Sequence, residues 1–149
     1  MDANGKRTDA LVKVYVDGLA EPTNPGVGAY GYVIYRDEVK VKEKCGVLGE
    51  HISNNYAEYS ALVEALKELL QRGWKDDNVV VYSDSKLLVN QMTDLWSCRG
   101  GLYVERYLEA KRLAKNFKNI KFKWIPREEN SEADSLTRRA YGEYIKSKG

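Results

Sequence analysis

The amino-acid sequence predicts an α/β fold, a mixed five-stranded sheet with helices on its faces, an arrangement that some schemes class as α+β. Three observations lead there. The first third of the chain alternates apolar and polar residues with the period of two that marks strands. From Asn55 the spacing becomes helical. Two further short apolar strands then follow, with helices between and after them, so that the order is β-β-β-α-β-α-α-β-α.

The first strand, residues 11–17, places Val12, Val14 and Val16 on one face and Lys13, Tyr15 and Asp17 on the other. A loop containing Pro22 and Pro25 interrupts it. "GAYGYVIYRD" is rich in tyrosine and β-branched residues, and "EVKVKEKCGVL" alternates as an exposed strand would. Arg36, Asp37 and Glu38 join these two closely, so the first three strands read as an antiparallel meander. "NYAEYSALVEALKELLQR" is a strong helix stopped by Gly73. "NVVVYSD" is a continuous apolar run suited to a buried parallel strand. "SKLLVNQM" makes a short helix with Ser85 at its N-terminus as a cap. A longer helix covers about Leu102 to Asn116, "IKFKWIP" is the last strand, and a final helix opened by "SEAD" runs from Ser131 to about Lys146. The polar start, residues 1–10, reads as a frayed leader, and residues 11–149 as one domain.

Composition narrows the classes. With 149 residues, 43% hydrophobic and 31% charged, the chain has the make-up of a globular domain with a proper core. No apolar run approaches the ~20 residues of a membrane span, and "MDANGKRTDA" lacks the apolar stretch of a signal peptide. A cytoplasmic monomer without membrane attachment is the expectation. A net charge of +2 means that any nucleic-acid binding rests on local patches. Cys45 and Cys98 lack metal-ligand spacing and read as thiols of a reducing compartment. His51 is the sole histidine, which rules out histidine-based metal clusters and argues against Ser–His–Asp catalysis.

Four acids stand where packing alone would not put them. Asp17 closes the first strand as read here, and Asp84 closes the fourth where a helix begins; ligands gather at strand ends in open α/β sheets. On the long helix the apolar stripe is Ala61, Leu62, Ala65, Leu66 and Leu69. At ~100° per residue Glu58 falls within that stripe, one turn before Leu62. A carboxylate aimed at a core face needs a partner or a metal to offset its desolvation. Asp134 lies in the first turn of the last helix, in line with Thr137, Tyr141 and Ile145. Taken singly, Asp17-Gly18 reads as a turn, Asp84 as a helix-start residue and Asp134 as a dipole-favoured acid; Glu58 resists such a reading most. Taken together, four acids at element ends suit an oxygen-only site for Mg²⁺ or Mn²⁺. Two such ions ~4 Å apart can activate a water and stabilise the leaving oxygen of a phosphodiester.

The blocks "YVDGLAEPTNPGVGAYGYVIY", "SNNYAEYSALVEAL", "VYSDSKLLVNQM" and "WIPREENSEADSLTRRA" resemble the four motif blocks of type 1 ribonuclease H, in order, from about Leu11 to Tyr144. The resemblance implies the ribonuclease H-like fold, a sheet of three antiparallel strands with the last two added parallel and helices on both faces. It implies a metal-dependent endonuclease that hydrolyses the RNA strand of RNA–DNA hybrids by a two-metal-ion mechanism, leaving 5′-phosphate and 3′-hydroxyl ends. Asp17, Glu58, Asp84 and Asp134 match the family's metal-binding carboxylates, with Gly18 beside them. Asn24, Asn54 and Asn55 match hybrid-contacting asparagines, Ser53 a hydroxyl near a DNA phosphate, and His51 lies two residues before it. His51 reads equally as an exposed turn residue. Ser85, Lys86, Asn90, Trp96 and Arg127 complete the expected substrate contacts, with a core role as the other reading of Trp96. Arg99, Arg138 and Arg139 offer further phosphate contacts or, for the last two, a solvated helix face.

Two features depart from many relatives. "PREEN" holds no histidine where a loop histidine is common, leaving Arg127 as the nearest cation. "TDLWSCRGGLYVER" replaces a basic protrusion, as in the protrusion-lacking archaeal and bacterial subgroup. The competing readings are a nuclease of the same superfold that cuts double-stranded RNA or acts as an exonuclease, and a silent hybrid-binding module.

Overall fold

A computed structural model describes residues 10–148 of the chain. Residues 1–9, most of the expected leader, lie outside the described residues. Ala10 does not belong with them: it is fully buried, and its carbonyl accepts the Asn78 N–H at 2.9 Å.

Strands β1 (Leu11–Glu21), β2 (Gly26–Arg36) and β3 (Val39–Ile52) form the antiparallel meander. Strands β4 (Asn78–Ser83) and β5 (Asn119–Trp124) extend it on the other side of β1, both parallel, giving the order β3-β2-β1-β4-β5. The first strand is longer than its alternation suggested. Asp17 does not close it but pairs with Gly31, and pairing continues to Glu21 opposite Val27. The apparent turn at Asp17-Gly18 is therefore mid-strand, and the real turn is residues 22–25, flanked by cis Glu21-Pro22 and containing cis Asn24-Pro25.

Val12, Val14 and Val16 are wholly buried against helix α1 (Asn54–Gln71). Ser53 caps this helix, its Oγ accepting the Tyr56 N–H at 3.1 Å. Gly73, at φ +76°, ends the turn that follows it. The buried set on α1 is broader than one stripe and includes Tyr59, Ser60 and Val63. The sheet covers one side of the helix, and α3 (Val104–Ala114) packs on another. Full burial of Leu62, Leu66 and Leu69 contributes ~1.5–3 kcal/mol each. A buried polar chain ties the helices together: Tyr59 Oη donates to Gln91 Oε1 (2.8 Å), and Gln91 Nε2 donates to Tyr103 Oη (2.9 Å). Gln91 lies on α2 (Lys86–Met92).

The opposite face of the sheet carries α4 (Ser131–Lys148), packed on β1, β2 and β3. A Cβ at Gly31 would meet Leu136 Cβ at 2.9 Å and the Ala133 carbonyl at 3.0 Å, so only glycine lets α4 lie so close. The buried residues of α4 are Ala133, Leu136, Thr137 and Ala140. The expected line from Asp134 through Tyr141 to Ile145 is therefore the margin of that stripe, and Ile145 is exposed. Trp96, for which a core role was one reading, is 49% exposed in the segment after α2. No helix among the described residues is long and apolar enough to cross a membrane.

Candidate active site

Strand register brings two of the acids together. Tyr15 of β1 lies opposite Tyr82 of β4 in parallel pairing; two residues further along each chain stand Asp17 and Asp84. The third acid arrives with α1. At Gly18 a Cβ would come within 2.4 Å of the Ala57 carbonyl carbon and the Glu58 nitrogen, so glycine lets the helix press onto β1 and delivers Glu58. One carboxylate oxygen from each of Asp17, Glu58 and Asp84 lies within 4.8 Å of the others.

Asp134, on the first turn of α4, lines the same cleft of about 600 Å³ as these three. Its charge is among those that raise the Asp17 carboxyl, but it stands outside the trio. Its carboxylate accepts from Arg138 Nε at 3.1 Å and faces Arg127 Nη2 at 3.9 Å. Arg127 belongs to a 3₁₀ turn, Arg127–Glu129, where the loop histidine was missing.

The trio is electrostatically strained. Burial, then the charges of Asp84 and Asp134, pushes the Asp17 carboxyl up to about 8. Burial followed by the charges of Asp17 and Asp84 raises Glu58 well above the ordinary carboxylate range. Glu58 keeps some surface as a residue, but its Oε2 is buried without a hydrogen-bond partner. Burial also raises Asp84, against the opposing pull of the Asn130 amide and of Arg127. Clustered oxygen donors with one orphaned atom fit a hard divalent cation, which would replace the missing partners.

The remaining expected residues divide. Gly18, Asn54, Asn55, Ser85 and Arg127 line the cleft. Asn24 and Asn54 also build it: Asn24 Oδ1 accepts the Asn54 N–H (2.9 Å), and Asn54 Oδ1 accepts the Ala20 N–H (2.7 Å). Ser53 and Ser85 are helix caps, Ser85 Oγ accepting the Leu88 N–H. Lys86 Nζ lies 4.9 Å from the centroid of the Trp124 ring. His51, at φ +60°, is exposed in β3, and neither it nor Asn90 nor Trp96 lines the cleft.

Three residues in contact with the acids escaped the sequence reading. Trp124 Nε1 donates to the Asp84 carbonyl at 3.0 Å. Thr137 Oγ1 donates to the Asp134 carbonyl (2.7 Å) and lies 3.3 Å from Asp17 Oδ2. Asn130 Nδ2 donates to the Val16 carbonyl at 2.9 Å and reaches Asp84 Oδ2 at 3.3 Å. Their spacing carries no local signal; only the place of Thr137 on the inward face of the last helix pointed this way.

A family model described as "Reverse transcriptase-like" matches residues 16–140. The chain is 33% identical to a bifunctional protein of Mycobacterium tuberculosis over 76% of its own length and spans about a third, 31%, of that relative. It is 30% identical to the ribonuclease HI of Halobacterium salinarum, covering 87% of this chain and 63% of that one. The crystal structure of the Halobacterium RNase H1 superposes with a TM-score of 0.82 at 30% identity, covering 89% of this chain and 98% of that one. For LC11-RNase H1 in complex with an RNA/DNA hybrid the TM-score is 0.83 at 33% identity, covering 90% and 99%. An unbroken match across the sheet, α1 and the acid-bearing start of α4 is what the order and spacing of the blocks called for, and the chain belongs to the type 1 ribonuclease H family.

Proposed function

We propose that the chain is an endoribonuclease that hydrolyses the RNA strand of RNA–DNA hybrids, leaving 5′-phosphate and 3′-hydroxyl ends. The observation that carries this reading is the trio of Asp17, Glu58 and Asp84 within 4.8 Å, with the Glu58 Oε2 orphaned at the floor of an open cleft. Family membership, and the hybrid bound by the LC11 relative, support the substrate class.

Asp17, Glu58 and Asp84 would hold Mg²⁺ or Mn²⁺, with Asp134 at the rim. The chemistry such ions supply when bound is activation of a water and stabilisation of charge on the leaving oxygen. The chain does the rest. Asp134 is balanced by Arg127 and Arg138, so that corner of the cleft carries less net negative charge toward a phosphate. Lys86, resting on the Trp124 ring, brings a cation beside Asp84 for the phosphate backbone. Asn54 and Asn55, at the start of α1, offer amides that both donate and accept to 2′-hydroxyls and base edges in the minor groove.

The test is cleavage of a labelled hybrid with Mn²⁺ or Mg²⁺ and with EDTA, alongside double-stranded RNA, double-stranded DNA and the Asp84→Asn variant. Metal-dependent cuts internal to the RNA strand of the hybrid, reduced by at least ~10²-fold in Asp84→Asn, are expected. Equal rates for wild type and Asp84→Asn would remove the site assignment, and faster cleavage of double-stranded RNA would replace the substrate.

A further inference from the structure

We propose that Asn130 is a positioning residue that fixes the Asp84 carboxylate relative to Asp17, joining three of the acid-bearing segments through one side chain and its backbone. Asn130 precedes α4 and is 1% exposed. Its amide has two protons and uses them on different segments. One goes to the Val16 carbonyl of β1, the residue before Asp17, at 2.9 Å; the other reaches Asp84 Oδ2, after β4, at 3.3 Å. Its own carbonyl accepts the Asp134 N–H at 3.0 Å, beginning the first turn of α4. The shorter bond, to a strand carbonyl, anchors the amide plane to the sheet, and the remaining proton is then directed at Asp84. Its Oδ1 is buried with no hydrogen-bond partner. A buried amide oxygen left without a partner is a cost, and the donor pair aimed at Val16 and Asp84 is what this amide supplies against it.

A carboxylate that must hold a cation beside two like charges turns away from them unless something pins it. Trp124 holds the Asp84 backbone through its carbonyl, which leaves the side-chain torsions free; among the described residues Asn130 is the group bonded to its carboxylate. Outer groups of this kind tune metal affinity or activity by ~10–100-fold. The assignment rests on the metal-dependent reading above.

Mn²⁺ binding by isothermal titration calorimetry and steady-state hybrid cleavage are measured for wild type, Asn130→Ala, Asp84→Asn and the double variant, each checked for folding by circular dichroism. Asn130→Ala is expected to weaken Mn²⁺ binding by ~10-fold or more and to lower kcat, with KM for the hybrid unchanged. In the Asp84→Asn background the same truncation is expected to cost less than ~2-fold further, because the carboxylate it positions is gone. If Asn130→Ala does not fold, Asn130→Ser, which shortens the side chain but keeps it polar, takes its place in the same cycle. Wild-type protein that binds no Mn²⁺ overturns the metal reading and this assignment with it. Wild-type protein that binds Mn²⁺ while Asn130→Ala binds it equally well overturns this assignment alone, as does a loss of equal size in both backgrounds, the mark of general destabilisation.

Discussion

Asp17→Asn should stabilise the metal-free protein while abolishing its activity, and the gain should depend on pH. Asp17 is 6% exposed, and its carboxyl titrates near 8 when folded against an ordinary 3.8. Between those values the folded state keeps a proton that the unfolded chain gives up. Stability from this group is therefore fully present below about pH 4 and is lost as pH rises toward 8. At ~1.4 kcal/mol per pH unit the gap corresponds to ~6 kcal/mol, and relaxation with water entering the open cleft reduces the observable part to ~2–4 kcal/mol. Asparagine keeps the shape, removes the charge, and can donate to Asp134 or to Thr137 Oγ1, 3.3 Å from the present Asp17 Oδ2. Thermal unfolding in EDTA from pH 4 to pH 8 reads the effect directly. The variant should match wild type at pH 4 and exceed it by roughly 5–15 °C at pH 8, at ~2–4 °C per kcal/mol for a chain of this size. Mn²⁺ at 100 times its Kd should stabilise wild type by ~2.7 kcal/mol and the variant by far less. A Tm difference that is absent at pH 8, or constant across the range, would refute the claim that crowded buried carboxylates set the cost of the metal-free state.

Gly18→Ala should lift α1 from β1, because the new Cβ would stand 2.4 Å from the Ala57 and Glu58 backbone; hybrid cleavage is expected to fall ~10²-fold, whereas Gly142→Ala, with nothing within 4 Å, should leave it unchanged. Trp124→Phe removes the indole donor to the Asp84 carbonyl and should cost ~1 kcal/mol in urea unfolding together with a lower kcat. Gln91→Leu leaves the hydroxyls of Tyr59 and Tyr103 without their shared partner and should cost ~1–3 kcal/mol by the same measurement with little change in KM. A thiol titration of the denatured protein should count two reactive groups, since Cys45 and Cys98 are both free.

What the sequence disclosed, and what it hid, follows the range of the interactions. Glu58 was legible because a helix converts spacing into direction, and an acid within the Leu62 and Leu66 stripe has no ordinary explanation. Asp84 was legible as the residue after a short apolar run. Asp17 was found but misplaced, since an acid before glycine imitates a turn. Only the pairing with Gly31 of β2, across a loop, shows that the strand continues. Asp134 was read as core-facing because four residues of a helix fit a line, yet α4 meets the sheet through Ala133, Leu136, Thr137 and Ala140. Asn130 was invisible. An asparagine before a helix reads as a cap, and its partners on β1 and after β4 lie 114 and 46 residues away. Trp96 shows the converse: a large aromatic suggests packing, but in the segment after α2 it stays 49% exposed.

The site is costly and yet well determined, and both facts come from the same topology. Insertion of β4 beside β1 in parallel fixes Tyr15 against Tyr82, and a slip of one residue would turn Val79 and Val81, now buried in the main core, toward the other face. The register is thus held by apolar burial, which opposes the repulsion it creates between Asp17 and Asp84. The same holds for Glu58, carried on a helix whose Leu62, Leu66 and Leu69 are fully enclosed. Carboxylates on such elements cannot move apart to relieve their charge, so relief must come from a proton or a cation. Near pH 7 a buried Asp17 that titrates at about 8 retains a proton in the metal-free state, and a divalent ion has to displace it. Metal affinity should therefore rise with pH through this range, and the dependence should weaken in Asp17→Asn, where residue 17 no longer holds a proton to be displaced and only the raised Glu58 and Asp84 carboxyls still titrate.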